Sequence, residues 1–205
     1  MPRTMKKAVA KGVGASRKEL VAARAALERM KHATSFADFE SGWQDTLTRV
    51  ERAWNKTKGA FADGAFAPWR GNHSSLRGTD PLLRYVSHAR DAEEHTVAET
   101  LSHEPGSIGI NPASGRSLHI DELTMVGGVM SIKSPQAIKV TIQPSRATLL
   151  PATSRDVTYR PPAEHLGRPL ERTDPVYVAE RAIEYYEKLL ADAEGRFAES
   201  RGGKA

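Results

Sequence analysis

The sequence contains no cysteine, which excludes disulfides, Cys-ligated zinc and thiol catalysis. Such a chain fits a reducing compartment. No apolar run approaches the roughly 18 residues that cross a bilayer, so no membrane partner is expected. Lys11 interrupts the one apolar stretch near the start that could resemble a signal peptide, and a cytoplasmic location is the expectation. Gly127-Gly128 lacks the Lys-Ser/Thr and helix start of a phosphate loop, which leaves a bulge or a turn. No internal repeat is visible. The net charge of +5 is compatible with a polyanion and equally with a solubilising surface. What remains is a chain of 205 residues, long enough for a sizeable core in one domain, or in one domain with a large insertion.

Aromatic residues are few, at 6%, yet several fall on one helical stripe. Phe36, Phe39, Trp43, Leu47, Val50 and Trp54 are spaced 3, 4, 4, 3 and 4, the period of a core-facing helix. Thr34 or Ser35 can cap it. Before it, Ser16-Arg17-Lys18-Glu19 has the form of a capping box, followed by Leu20, Ala23, Leu27 and Met30 at helical intervals. These two segments, Ser16–His32 and Ser35–Lys58, predict an antiparallel helix pair. Residues 1–15 read as a flexible basic arm. The Gly-, Pro- and Ser-rich stretch from Lys58 to Thr79 reads as loop. Its Trp69, Arg70, His73 and Arg77 suit either a nucleic acid or a Trp folded back on the helices, and the second is preferred.

Asp80-Pro81 and Asp174-Pro175 both mark helix starts, a capping carboxylate followed by Pro at the first position. The helices expected are Pro81–Glu99 and a closing one over 174–198, with 200–205 a disordered tail. Between them the period changes to two. Ile138, Val140 and Ile142 alternate with Lys139, Thr141 and Gln143, a strand with one wet face. Further short strands are predicted at 108–111, 117–121, 125–133, 147–150 and 156–159. The fold class is therefore α+β. A helical bundle of about four helices carries a small, mainly antiparallel β segment over about 107–160, inserted before the last helix. Residues 16–199 are expected to form a single domain.

The stretch Asp80–Thr96 concentrates the ionisable residues. Leu82, Leu83, Val86 and Ala89 make its apolar face, while Arg84, His88, Arg90, Asp91, Glu93, Glu94 and His95 lie outside it. Arg90-Asp91-Ala92-Glu93-Glu94-His95 reads R-D-x-x-x-H and resembles the Arg-x4–6-His signature of the HEPN superfamily. The same spacing recurs at Arg160–His165, where Pro161 and Pro162 forbid a regular helix. The resemblance implies a helical bundle, usually a homodimer, and a metal-independent ribonuclease of toxin–antitoxin or defence type. It implies that Arg90 stabilises phosphate charge, that His95 is the acid–base group or its partner and that Asp91 orients the pair. Arg84 and His88 would contact the substrate. Such chemistry is coherent: an RNA 2′-hydroxyl attacks its own phosphate when a base near neutral pKa removes the proton and a cation holds the charge. No cofactor and no metal is assigned.

Two other readings use the same residues. His88, Asp91 and His95 share a helix face and could hold a divalent ion with His73 or His103. Alternatively the mixed-sign face is an ion-paired surface for a protein partner or a second subunit, with no reaction. Arg90 and His95 are about 140° apart on one helix. A two-fold axis near Ala89–His95 would bring one chain's Arg90 to the other's His95, which makes a homodimer the expectation in both the RNA and the protein-partner reading.

Overall fold

The computed structural model describes residues 3–96, 99–115 and 117–202, with side chains for 9–94, 99–115 and 117–196. It confirms an α+β protein: helices and small antiparallel strand pairs, with a helical N-terminal region. The helices are α1 (Arg3–Lys31), α2 (Phe36–Ala60), α3 (Ala67–Thr79), α4 (Pro81–Thr96) and α5 (Pro175–Gly202). The chain divides into two compact units. The first joins residues 1–102 to 147–205, and the second is 103–146. No described residue of 103–146 is buried, so this segment has no core of its own. Among the described residues, no helix is long and apolar enough to cross a membrane.

The predicted aromatic stripe faces inward. Trp43, Leu47, Val50 and Trp54 are all buried, with Phe36 and Phe39 half-buried against the same core. Ser35 caps α2, accepting from the Asp38 N–H at 3.1 Å. The opening of the chain departs from expectation, because α1 begins at Arg3 instead of Ser16. Val9 and Val13 extend its apolar stripe upstream of Leu20 and are buried with it. Ser16 is no cap. Its fully buried hydroxyl donates to the Ala53 carbonyl at 2.8 Å and lies 2.7 Å from Thr57 Oγ1, which clamps α1 to α2. Glu19, another buried polar group of α1, is held by Lys56 and Arg49 from α2. The hydrogen bond from Lys56 lowers its pKa, against burial, and that from Arg49 adds to the effect.

A second departure lies at 67–79, expected as loop and found as α3. Pro68 sits in its first turn, where the missing N–H is harmless. Its glycines are open to solvent, and Trp69, His73 and Leu76 recur at helical spacing on the inner side. Trp69 is buried, and its indole N–H donates to Asp192 of α5 at 2.6 Å. His73 Nδ1 lies 3.0 Å from the Tyr185 hydroxyl on the same helix. At the far end of the chain α5 continues through residue 202, so the tail expected at 200–205 is helical in part; 203–205 lie outside the described residues.

Within the first unit, β7 (Ala152–Ser154) pairs with β8 (Val157–Tyr159), and β9 (Glu164–His165) with β10 (Arg168–Pro169), all antiparallel. The β7, β8 and β9 strands pack on α4. In the second unit β2 (Ser107–Pro112) pairs with β5 (Ile138–Gln143), and β3 (Glu122–Val126) with β4 (Val129–Lys133). The stretch read as one strand over 125–133 is thus a hairpin. Gly127 and Gly128 form its turn with φ of 58° and 80°, the left-handed pair that a two-residue hairpin needs. The strand expected at 117–121 is absent. There Ser134 Oγ donates to the His119 carbonyl and Gln136 Nε2 to that of Ser117, so side chains take the place of a partner strand.

Register sorts the β2–β5 ribbon cleanly. Ile108 faces Ile142, Ile110 faces Val140 and Pro112 faces Ile138 on one side. Ser107, Gly109 and Asn111 face Gln143, Thr141 and Lys139 on the other. The apolar side is open: Ile142 is 71% exposed, and Ile108 and Val140 are exposed as well.

The close approach of α1 and α2 gives a test of the extended first helix. A Cβ on Gly12 would lie 2.5 Å from Ala60 Cβ, whereas one on Gly14 meets nothing within 4 Å. Gly14→Ala should raise the thermal midpoint through helix propensity, by up to about 1 kcal/mol. Gly12→Ala should lower it despite the same propensity gain. Thermal melts followed by circular dichroism decide the point; equal gains from both would contradict a packed helix over the first fifteen residues.

Candidate functional site

The candidate residues are positioned by α4, and α4 is positioned by Asp80. This carboxylate is only 5% exposed. Its Oδ1 accepts from the Leu83 N–H at 2.9 Å, the capping bond expected from the sequence. It also accepts from the Leu166 N–H at 2.6 Å and lies 3.0 Å from His165 Nδ1. The β9–β10 hairpin is thereby tied to the start of α4. Burial alone would raise the pKa of Asp80. The bonds from His165 and the two N–H groups outweigh it and hold the carboxyl below its ordinary value.

From that start, α4 buries Leu82, Leu83, Tyr85, Val86, Ala89 and Ala92 and presents two polar edges. The first lines a cleft of about 200 Å³ between α2 and α4, formed by Gln44, Leu47 and Thr48 with Arg90, Glu93 and Glu94. Arg90 is 26% exposed. One arm of its guanidinium pairs with Asp91 Oδ1 at 3.0 Å and the other with Glu94. Glu93 accepts from the Thr100 hydroxyl, which in turn accepts from the Trp43 indole N–H at 2.9 Å. Burial, and then the charge of Glu40, push the Glu93 carboxyl up to about 7, against the opposing hydrogen bonds from Thr100, Trp43 and Gln44. The cleft therefore joins an acid–base group that titrates at neutral pH to a guanidinium already engaged by carboxylates.

The second edge lies on the other side of α4. His88 stacks on Tyr159 with ring centroids 3.7 Å apart and planes 6° from parallel. Arg84 lies over the same tyrosine, 5.7 Å from its centre. Burial lowers the pKa of His88; Asp91 opposes this, and Arg84, Arg155 and Arg77 reinforce it. His88 is thus neutral at neutral pH. With Ser87 it borders a cleft of about 260 Å³ shared with Trp54 and Lys58 of α2 and Ser74 and Arg77 of α3.

The structure therefore separates residues that the sequence grouped. Arg90 belongs to the first edge and Arg84 and His88 to the second, as expected for positions about 200° apart between 88 and 90, while Asp91 pairs with Arg90 and its charge also acts on His88. The side chain of His95 lies outside the described residues, so the Arg90–His95 geometry is not among them. Among the described residues, no group of three His, Asp or Glu side chains is placed to hold a metal ion. His165, in the second Arg-His spacing, is a structural partner of Asp80. Compared with known proteins, the chain matches no family model, no curated protein and no solved structure.

Glu93 is the residue that the motif reading passed over. Its signal was present: Leu82, Val86, Ala89 and Glu93 are spaced 4, 3 and 4, so an acid occupies a core-stripe position. Asp80 and His165, far apart in sequence, had no comparable signal.

Two predictions follow from these carboxyls, with opposite signs. Glu93 has a raised folded-state pKa, so the folded chain binds the extra proton between about pH 4.5 and 7 and loses stability as pH rises through that window. Glu93→Gln should leave stability at about pH 4.5 nearly unchanged and increase it at about pH 8, by up to about 3 kcal/mol. Urea unfolding at the two pH values measures the difference; an equal effect at both would refute the raised pKa. Asp80 has a lowered pKa, so its contribution is present above the ordinary 3.8 and lost as pH falls through the folded value. Removing it by Asp80→Ala leaves two N–H groups and His165 without their acceptor, a loss of about 3–5 kcal/mol at neutral pH.

Proposed function

We propose that the protein is a HEPN-like interaction module, a helical platform that presents a β ribbon for self-association. The observation that carries this reading is the ribbon itself. The second unit buries none of its described residues, and one face of β2–β5 is wholly apolar. A lone two-stranded ribbon is marginal in water until a third strand or another surface covers it. Among the described residues, each strand in this unit has one partner and one open edge, and an open edge beside an apolar face is a template for another strand. A second copy supplies an equal face and an equal edge, which a two-fold axis makes self-complementary. This moves the association surface away from α4, whose Ala89 and Ala92 are buried against the chain's own core.

Glu93 favours a second reading, in which the resemblance at Arg90–His95 extends to metal-independent RNA cleavage. A carboxyl group titrating near 7 beside Arg90 is suited to general acid–base chemistry on a phosphodiester. Against it stand the two carboxylates that already occupy Arg90 and the acidic balance of that cleft, which repels a polyanion. The interaction reading is therefore the conclusion.

Light scattering should report a mass near twice 22.4 kDa. Ile108→Lys and Ile142→Lys, at positions exposed in the single chain, should return it to a folded monomer. A wild-type monomer at all concentrations would refute self-association. RNA incubated with the protein in chelator should stay intact. Cleavage that disappears in Arg90→Ala, Glu93→Gln and His95→Ala would instead establish the ribonuclease.

A further inference from the structure

We propose that the cleft between α2, α3 and α4 binds a small phosphate monoester, with Lys58 as its ion-pairing group and the hydroxyls of Ser74 and Ser87 as further donors. The cleft is built differently from that at Arg90. Arg77, with a side chain 11% exposed, is fixed on three sides. Glu51 takes its Nη2 at 2.6 Å, Trp54 lies under its guanidinium at 5.1 Å, and the same Nη2 donates to Ser87 Oγ at 2.7 Å. Because Ser87 Oγ accepts from Arg77, its own proton is left to donate elsewhere. Glu51 is thereby committed to Arg77. Among the described residues, the Lys58 ammonium has no ion pair and no hydrogen bond, although it borders the same space.

Arg77 and His88, both in the lining, each also hold a buried nitrogen, Nε and Nδ1, with no hydrogen-bond partner among the described residues. Buried polar groups in native proteins are nearly always satisfied, and exceptions mark a site that a water or a ligand completes. Arg84 and Arg155 add positive charge close to His88, against the carboxylate of Asp91 and that of Glu51, which Arg77 already pairs. The local field favours an anion. An ammonium and hydroxyl donors match phosphate oxygens better than a planar carboxylate, which a free guanidinium would take in a fork. At about 260 Å³ the space holds a phosphate with a small organic group and is below the usual size of a site for a larger ligand.

Calorimetric titration of the full chain with inorganic phosphate and with glycerol 3-phosphate, at low ionic strength, tests the site. Both should bind saturably, the ester more tightly. Loss of one charge-assisted hydrogen bond removes about 1.5–3 kcal/mol, so Lys58→Gln should weaken binding at least about tenfold. Ser74→Ala should weaken it by a smaller factor, and Lys18→Gln, on the exposed side of α1, should leave it unchanged. Lys58 and Ser74 are exposed, so these variants keep the fold. Absence of binding, or equal affinity in Lys58→Gln and wild type, would overturn the proposal. A short oligoribonucleotide that bound more tightly than the ester, with the same dependence on Lys58, would overturn the monoester assignment in favour of a nucleic-acid backbone. None of these outcomes depends on the oligomeric state, so the site stands or falls apart from self-association.

Discussion

One buried carboxylate holds the arrangement of α4. Asp80 ends α3 through its backbone N–H, which donates to the Leu76 carbonyl at 2.8 Å, while its two carboxylate oxygens start α4 and receive the β9–β10 hairpin. The geometry has a backbone side. Leu166, whose N–H reaches Asp80, has φ of 51°, and Gly167 follows at 72°. The left-handed region disfavours a branched side chain such as leucine, and the bond to Asp80 offsets part of that cost. The carboxylate thus fixes where α4 begins and also the turn that packs against it. Every side chain further along the helix inherits its direction from this point.

Those directions explain why the two polar edges behave so differently. Toward α2, Glu93 lies among Trp43, Gln44 and Thr100 with Glu40 close by, so burial and like charge both favour its proton. Toward α3, His88 is half-buried among arginines, so burial and like charge both remove its proton. The same physics therefore leaves one acid able to titrate near neutrality and one base uncharged. Arg90 and Arg77 show a parallel contrast. Each is engaged by carboxylates, but Arg77 does so beside an uncommitted lysine and two hydroxyls, while Arg90 does so among further acids.

Much of the helical architecture was legible because it rests on local periodicity and caps. The stripe from Phe36 to Trp54, the Asp-Pro starts at 80 and 174 and the alternation at Ile138–Gln143 each act within one element. Misreadings arose where tertiary contact overrides local pattern. Ser16 has the form of a cap but serves as a buried clamp to α2. The glycines of 67–79 suggest a loop until Trp69 and His73 find Asp192 and Tyr185 more than a hundred residues away. In the candidate site, the spacing of Arg90, His95 and Asp91 showed that they share a helix, and it also showed that Arg90 and His88 diverge. What surrounds each of them comes from other elements, and no short window contains that information.

The way the chain leaves and re-enters the helical unit has a wider consequence. Thr100 and Leu150 are joined by a backbone hydrogen bond of 2.8 Å, and the strands β1 (Leu101–Glu104) and β6 (Arg146–Leu149) pair beside it. The excursion between them starts and finishes at neighbouring points, and its described residues add nothing buried to the helical core. Closing a loop costs only about 0.6 kcal/mol more for each doubling of its length. The helical unit is therefore nearly indifferent to what is carried at this port. An excursion of another length can be carried there at little added cost in closure entropy while the helical unit keeps its fold.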